Sequence, residues 1–335
     1  MLESRVEKIS FYDPFSDFSK KEIKLEVRKD PITGDSSRIL DVKFKPPELD
    51  VDEWVKGTEK NCPFCLKNVE KMTSKFTEDL IPEGRLRLGD LLCFPNVVSY
   101  SKYSSVVVAT PYHFKKAHEI EEDILKDAFS LALMYLKRVE KQDKNVRFSS
   151  INWNFLYPAG ASIVHPHLQT MADTYPSSKM EKILKNAFDS FLSGSHLFGD
   201  YIDYELKRDE RFLVERDGVF SFISFSPIGA VPDFTFIFKE IGDIDGFQNK
   251  LEAFVSILKG IFSYMHSENL LSFNLAVYLS HESLPFYWIY ARLTPRLFPR
   301  PVKNSDVNFV KMMQDECWVL IRPERIKSKV VSSLT

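Results

Sequence analysis

The stretch Ala159-Gly160-Ala161-Ser162-Ile163-Val164-His165-Pro166-His167-Leu168-Gln169 concentrates the side chains of this sequence best suited to chemistry. On an extended backbone side chains alternate between faces, so His165, His167 and Gln169 project to one side, Pro166 and Leu168 to the other. Near pH 7 imidazole serves as nucleophile, base or metal ligand. The small residues ahead of it let a phosphate approach backbone N–H groups. Proline inside a strand forfeits a ladder donor, which predicts an edge or a bulge here. The bland alternative is a partly exposed strand with incidental histidines. Against it, only 7 His occur in 335 residues, and two of them bracket one proline.

Cys62-Pro63-Phe64-Cys65 is the second constellation. Two thiolates at this spacing can chelate one tetrahedral ion, but zinc takes four ligands and no second Cys-x-x-Cys exists. His113, just past an expected strand, and His165 are the candidates to complete the set. A thioredoxin-like redox pair and a pair of buried small residues compete with that reading. His118, His196, His266 and His281 read as surface or helix-end residues. Arg292, Arg296 and Arg300 form either a phosphate-binding stretch or a solvated basic face.

These residues need a scaffold. The first sixty residues are polar and turn-rich, and read as short strands and loops. Residues 104–110 (SSVVVAT) are β-branched and predict a buried strand closed by Pro111. From 118 to about 143 apolar residues recur at helical spacing, with acids first and bases last, predicting one long helix. Strands over 148–157 and 163–171 flank a Pro158-Ala159-Gly160 turn. Helices follow over 178–192 and near 199–211, then strands over 219–225 and 233–239. A long helix over 246–266, strands over 273–279 and 285–293, and a helical patch near 304–314 complete the chain. The order of elements from 103 to 171 recurs from 219 to 293, which suggests an internal duplication. The fold class is therefore α+β: two related halves, residues 1–175 and 176–335, each an antiparallel sheet flanked by a long helix.

Length exceeds what one small core holds. Forty-five Lys+Arg against forty-seven Asp+Glu give a net charge of −2, which denies the chain the global basic footprint of a nucleic-acid binder. No run of eighteen apolar residues occurs and MLESRVEKIS lacks an apolar signal core, so the expectation is a cytoplasmic protein away from membranes. Four cysteines with one close pair do not make a disulfide framework.

The His165-Pro166-His167-x-Gln169 motif, the earlier Cys62-x-x-Cys65 and the histidine of Pro111-Tyr112-His113-Phe114 resemble galactose-1-phosphate uridylyltransferases, a branch of the histidine-triad superfamily. Asp30-Pro31-Ile32-Thr33-Gly34, Asn154 eleven residues before His165, and Ala159-Gly160-Ala161-Ser162 support the likeness, as does the strand pair over 227–239. It spans about residue 25 to 325, with its specific motifs in the first half. The resemblance implies a double displacement: His167 attacks the α-phosphorus of a nucleotide sugar, expels a sugar phosphate, and holds the nucleotidyl group until a second sugar phosphate removes it. It implies Gln169 as a donor to a phosphoryl oxygen, and Asn154, Gly160, Ala161 and Ser162 near the phosphates. It implies a structural zinc on Cys62, Cys65, His113 and His165, and a homodimer, because family active sites draw on a neighbouring subunit.

The departures from the family pattern are specific. Where some members hold iron, this chain offers Ile183 and Tyr290-Ala291-Arg292, so no iron is expected. Two phosphate-binding arginines are replaced by Lys43 and Lys45, or displaced to Arg38, and lysine lacks the bidentate fork of arginine. Leu156 stands where a glycine follows Asn154, and Ala161 where some members carry Cys. Three functions remain. One is a nucleotidyltransferase using UDP-glucose and a hexose 1-phosphate, most simply galactose 1-phosphate. Another is a phosphorylase or hydrolase of ADP-glucose or a dinucleoside polyphosphate. The last is a non-catalytic, zinc-stabilised nucleotide-sugar-binding protein.

Overall fold

A computed structural model describes residues 2–48, 50–298 and 305–335. In chain order its strands are β1 (Glu3–Asp13), β2 (Ser19–Lys29), β3 (Ser36–Ile39), β4 (Leu86–Leu88), β5 (Leu91–Pro95), β6 (Tyr103–Val108) and β7 (Phe148–Phe155). The remainder are β8 (His167–Asp173), β9 (Phe212–Arg216), β10 (Val219–Ile223), β11 (Phe234–Phe238), β12 (Ser272–Ser280), β13 (Tyr290–Arg296) and β14 (Glu316–Val319). Ten strands make one sheet in the order β4-β5-β6-β8-β7-β12-β13-β11-β10-β9, and β1-β2-β3-β14 make a second. Outward from the central β7–β12 pair, the sequence β8, β6, β5, β4 on one side mirrors β13, β11, β10, β9 on the other. The long helices Glu122–Gln142 and Leu251–Ser267 fill equivalent connections, from β6 to β7 and from β11 to β12. Strand order thus carries the duplication suggested by the order of elements.

The alternation of side chains divides the large sheet into an apolar and a polar face. Along β7, Ile151, Trp153 and Phe155 are buried while Ser150, Asn152 and Asn154 are half-buried. The buried set packs beneath the helices. Phe155 stacks on Phe273 of β12 with centroids 5.0 Å apart, and Trp153 meets Phe262 of the second long helix edge-on. Helix Glu122–Gln142 completes this layer with Leu125, Phe129, Leu136 and Val139 on one stripe, as its 3.6-residue spacing requires. The other face is polar along β7, and the small sheet covers it over the second half: Ser226 donates to the carbonyls of Arg28 and Asp35.

Several expectations change. The first strands are long, not short: β1 and β2 form an eleven-residue-a-side hairpin that is exposed over most of its length and buried only at Glu26, Arg28 and Asp13. Residues 163–166 are not strand. β8 begins at His167, so Pro166 forfeits no ladder bond, and β8 lies inside the sheet between β6 and β7 rather than at an edge. The helix expected over 246–266 is two, Ile244–Asn249 and Leu251–Ser267, broken at Lys250. Residues 285–286 form a turn and 287–289 run without regular structure into β13, and the Tyr287 hydroxyl donates to the Tyr278 carbonyl. The C-terminal helical patch is Phe309–Gln314, and Asn304 lies outside the described residues. Among the described residues no helix is long and apolar enough to cross a membrane.

Candidate active site and metal centre

The four residues singled out as ligands converge. One donor atom from each of Cys62, Cys65, His113 and His165 lies within 4.8 Å of all the others. Cys65 Sγ is 3.3 Å from His113 Nδ1 and 3.7 Å from His165 Nδ1, and Cys62 Sγ is 3.6 Å from His165 Nδ1. A tetrahedron with Zn–S of about 2.3 Å and Zn–N of about 2.0–2.1 Å has S···N edges of roughly 3.5 Å. The donor set therefore has the size and chemistry of a Cys₂His₂ zinc site. Burial and the neighbouring Cys62 push the Cys65 thiol up to about 12, unlike the low-pKa thiolate of a redox pair. A metal would have to displace that proton.

Two threonines that the sequence did not flag orient the imidazoles. His165 Nε2 donates to the Thr110 carbonyl at 2.9 Å, which presents Nδ1 to the thiols. The Thr58 hydroxyl donates to the Val55 carbonyl at 2.7 Å and so accepts from His113 Nε2 at 2.9 Å, with the same result. Phe64, between the two cysteines, closes the cluster: its ring lies 5.0 Å from that of His167. Leu92, Phe94, Val106 and Val108 pack with it and with Val69 of the helix Leu66–Met72 as a small apolar cluster of their own, separate from the core under the two long helices.

The backbone links this centre to His167. His167 Nδ1 donates to the His165 carbonyl at 2.8 Å, which fixes the Nδ1–H tautomer and leaves the Nε2 lone pair free. Burial pushes the His167 pKa below the ordinary imidazole value, against the opposing effect of that hydrogen bond, and so favours the neutral ring. The register places Gln169 opposite Asn152 and ends at Trp153↔Leu168, so Asn154 and His167 are the next residue of each strand beyond the last pair. Asn152 donates to Ser150 and to the Gln169 carbonyl. Asn154 Oδ1 accepts from Asn274 of β12 at 2.7 Å, and Arg296 holds the Asn274 oxygen at 2.8 Å. That leaves the Asn154 amide N–H groups, the Gln169 amide and the Ser162 hydroxyl without a partner among the described residues.

Other candidates are placed less simply. Gly160 is left-handed (φ 87°), ends the 158–160 turn, and donates its N–H to the Tyr157 carbonyl, while the Ala161 N–H donates to that of Leu156. Both backbone donors are thus spent within the turn, and Ser162 is exposed beside it. Lys43 and Lys45 are exposed beyond the small sheet, and Arg38 in β3 is ion-paired to Glu316 at 2.5 Å. Arg292 is neither a solvated face nor a free phosphate ligand. It is buried and makes two hydrogen bonds to Asp233, 3.2 and 3.0 Å long, with Asp30 at 3.6 Å. Tyr290 lies beside it, and Ile183 is in the core. Arg296 pairs with Asp306, and Arg300 lies outside the described residues. His196 caps a helix, accepting from the Gly199 N–H, and His118 stacks on His266 at 3.8 Å. The His281 side chain is buried, contrary to its surface reading, next to the Ser149 hydroxyl.

The fold recurs in solved structures. A GalT-like protein from Arabidopsis thaliana superposes with a TM-score of 0.67 at 18% identity, over 92% of this chain and 98% of that one. The chain has the uridylyltransferase fold. An ADP-glucose phosphorylase from Arabidopsis thaliana with bound ADP-glucose gives 0.68 at 15% identity, and a uridylyltransferase 0.65 at 16%, each over 92% of this chain and 98% of the other. An uncharacterised protein of Archaeoglobus fulgidus is 28% identical over 307 residues, 91% of each chain. No family model matches the sequence.

Proposed function

We propose that this chain is a nucleotidyltransferase that moves a UMP group between UDP-glucose and a hexose 1-phosphate, galactose 1-phosphate foremost, through a nucleotidyl-histidine. The observation that carries the proposal is the His167 imidazole, held by Nδ1 on the His165 carbonyl at 2.8 Å with Nε2 unpartnered among the described residues. In the first half-reaction Nε2 forms a bond to the α-phosphorus, and the bond from that phosphorus to the bridging oxygen breaks. The sugar 1-phosphate leaves with the electron pair. In the second, a phosphate oxygen of the acceptor attacks, the P–N bond breaks, and the imidazole returns to its starting tautomer. No proton has to move on His167 in either step. The amides of Gln169 and Asn154 donate to the non-bridging oxygens as charge gathers there, with Ser162 and the 160–161 turn alongside. Lys43 and Lys45 supply charge contacts to the diphosphate, and Arg38 does so if it exchanges its Glu316 partner. Zinc on Cys62, Cys65, His113 and His165 would be structural, neutralising the thiolates and holding the peptide whose carbonyl orients the nucleophile. The division near residue 175 separates a catalytic half from a degenerate one, and the chain acts as a homodimer.

ADP-glucose is the second donor to weigh, because the solved structure with a TM-score of 0.68 carries it. Intact-mass spectrometry after incubation with UDP-glucose and, separately, ADP-glucose decides between them. The expected result is a uridylyl adduct on the wild type, absent from His167→Ala and discharged by galactose 1-phosphate. An adenylyl adduct discharged by inorganic phosphate would replace the uridylyl reading. Binding of either sugar with no adduct would replace catalysis by a carrier role.

A further inference from the structure

The hairpin β1–β2 is paired without interruption from Glu3↔Lys29 to Asp13↔Ser19, yet β3 joins β2 only over Glu26–Lys29. From Leu25 outward the ribbon has no third strand. A free two-stranded ribbon is marginal in water, and this one is rich in exposed apolar residues. Ile9 faces Ile23 across the pair, and the outer end carries Phe11, Tyr12, Phe15 and Phe18, exposed at 41, 69, 97 and 66%. Phe11 shares the face of Ile9 and Ile23 while Tyr12 lies on the opposite one, and Phe11, Phe15 and Phe18 alone offer on the order of 400 Å² of accessible surface, about half of the roughly 800 Å² per partner that a stable interface buries.

At the ribbon's base lies a groove of ≈ 1090 Å³ whose walls include Ile9 and Ile23 on one side and Ile39, Val42, Val310 and Trp318 on the other. The short helix Phe309–Gln314 on its rim exposes Phe309, Met312 and Met313 at 70, 70 and 76%, at i, i+3 and i+4. We propose that the ribbon is an exchange arm: two copies pair about a two-fold axis, each laying the apolar face of its ribbon into the groove of the other. This rests on the homodimer proposed above and names the surface that makes it. A second copy fits better than a foreign partner for two reasons. One chain carries both the arm and an unfilled groove of matching character, so a two-fold axis satisfies both at once and closes the assembly. The arm is also nearly neutral, with seven Lys or Arg against six Asp or Glu over residues 3–29, so it selects no partner of opposite charge.

Light scattering on the full, zinc-loaded chain tests this. The wild type should run at twice the 38.9 kDa chain mass, and Ile9→Glu/Ile23→Glu should weaken association at least 100-fold with zinc content unchanged. Phe11→Ser/Phe15→Ser, at exposed positions that touch no core, should weaken it at least tenfold, and decides the matter if the first variant misfolds. Because all four native cysteines are buried, an Ile9→Cys chain mixed with a Val42→Cys chain should form a disulfide between the two on oxidation. A wild type at single-chain mass would overturn the pairing itself. A wild-type dimer left intact by both variants, with no inter-chain disulfide, would overturn the arm and leave the pairing and the nucleotidyl chemistry standing.

Discussion

Thr58→Val isolates the orientation of one metal ligand without touching the ligands themselves. The Thr58 hydroxyl spends its proton on the Val55 carbonyl at 2.7 Å and offers a lone pair to His113 Nε2 at 2.9 Å. Valine keeps the shape and the β-branch but removes that acceptor, so the ring loses what fixes Nδ1 toward Cys65. Deleting a partner of this kind around a metal costs about 10–100-fold in affinity, which is about 1.4–2.7 kcal/mol. The independent cost of stranding a buried donor, about 1–3 kcal/mol, falls in the same range. His113 is only part-buried, so water can replace some of the loss, which places the expected effect toward the lower end. The assay is competition for zinc against a chromophoric chelator at pH 7.5. Thr73→Val is the control, since the Thr73 hydroxyl bonds only the Val69 carbonyl within its own helix. Zinc affinity of Thr58→Val within twofold of wild type, or an equal loss in Thr73→Val, would refute the orienting role.

Two further outcomes follow from the same geometry. Gln169→Ala should slow formation of the nucleotidyl adduct by roughly 10²-fold, as for loss of one preorganised donor, while leaving nucleotide-sugar affinity within a few fold. A larger loss in affinity than in rate would reassign Gln169 to ground-state binding. Burial pushes His281 down to about 4, below its ordinary value, so the unfolded chain binds the extra proton between those two values. Stability is then complete above about pH 6.5 and is lost as pH falls toward 4, by at most about 3 kcal/mol. The Glu140 carboxylate 3.7 Å away works against the full amount. Denaturant titrations of wild type and His281→Gln should diverge across that window, and parallel pH profiles would show that His281 does not carry the effect.

The metal cluster was legible because cysteine and histidine are scarce here and their roles depend on a few atoms at fixed spacing. The long helices and the recurrence of strand–helix–strand units were legible from apolar periodicity, which survives duplication when residue identity does not. What depended on distant partners was not. Thr58 and the Thr110 carbonyl become orienting groups only once residues 55–58, 113 and 165 are folded together. Arg292 looks like a surface cation until Asp30, Asp35 and Asp233 arrive from elsewhere in the chain. The β1–β2 ribbon escaped notice for a different reason: Ile23, Leu25 and Val27 do alternate with Lys24, Glu26 and Arg28, but this short apolar period is diluted by the polar residues and turn signals around it. Pro166 misled in the opposite direction, because it sits one residue before the ladder begins and costs it nothing.

Hydrogen-bond accounting explains why the two halves of one sheet have such different prospects for chemistry. On the polar face, β8 presents His167 and Gln169, and the equivalent strand β13 presents Arg292 and Thr294 beside β12. In the second half these polar groups are consumed. Arg292 gives its donors to Asp233 and the Ser226 carbonyl, and the Thr294 hydroxyl adds a contact to Asp233 at 3.4 Å. A ligand entering there would have to break a buried ion pair, which costs about 3–5 kcal/mol before any contact is gained. In the first half His167 uses one nitrogen for the backbone, Asn154 one oxygen for Asn274, and Gln169 nothing from its side chain. The groups left over are a lone pair flanked by amide donors. An electrophilic centre bearing anionic oxygens meets that set without displacing anything, and a phosphorus atom in a diphosphate is such a centre.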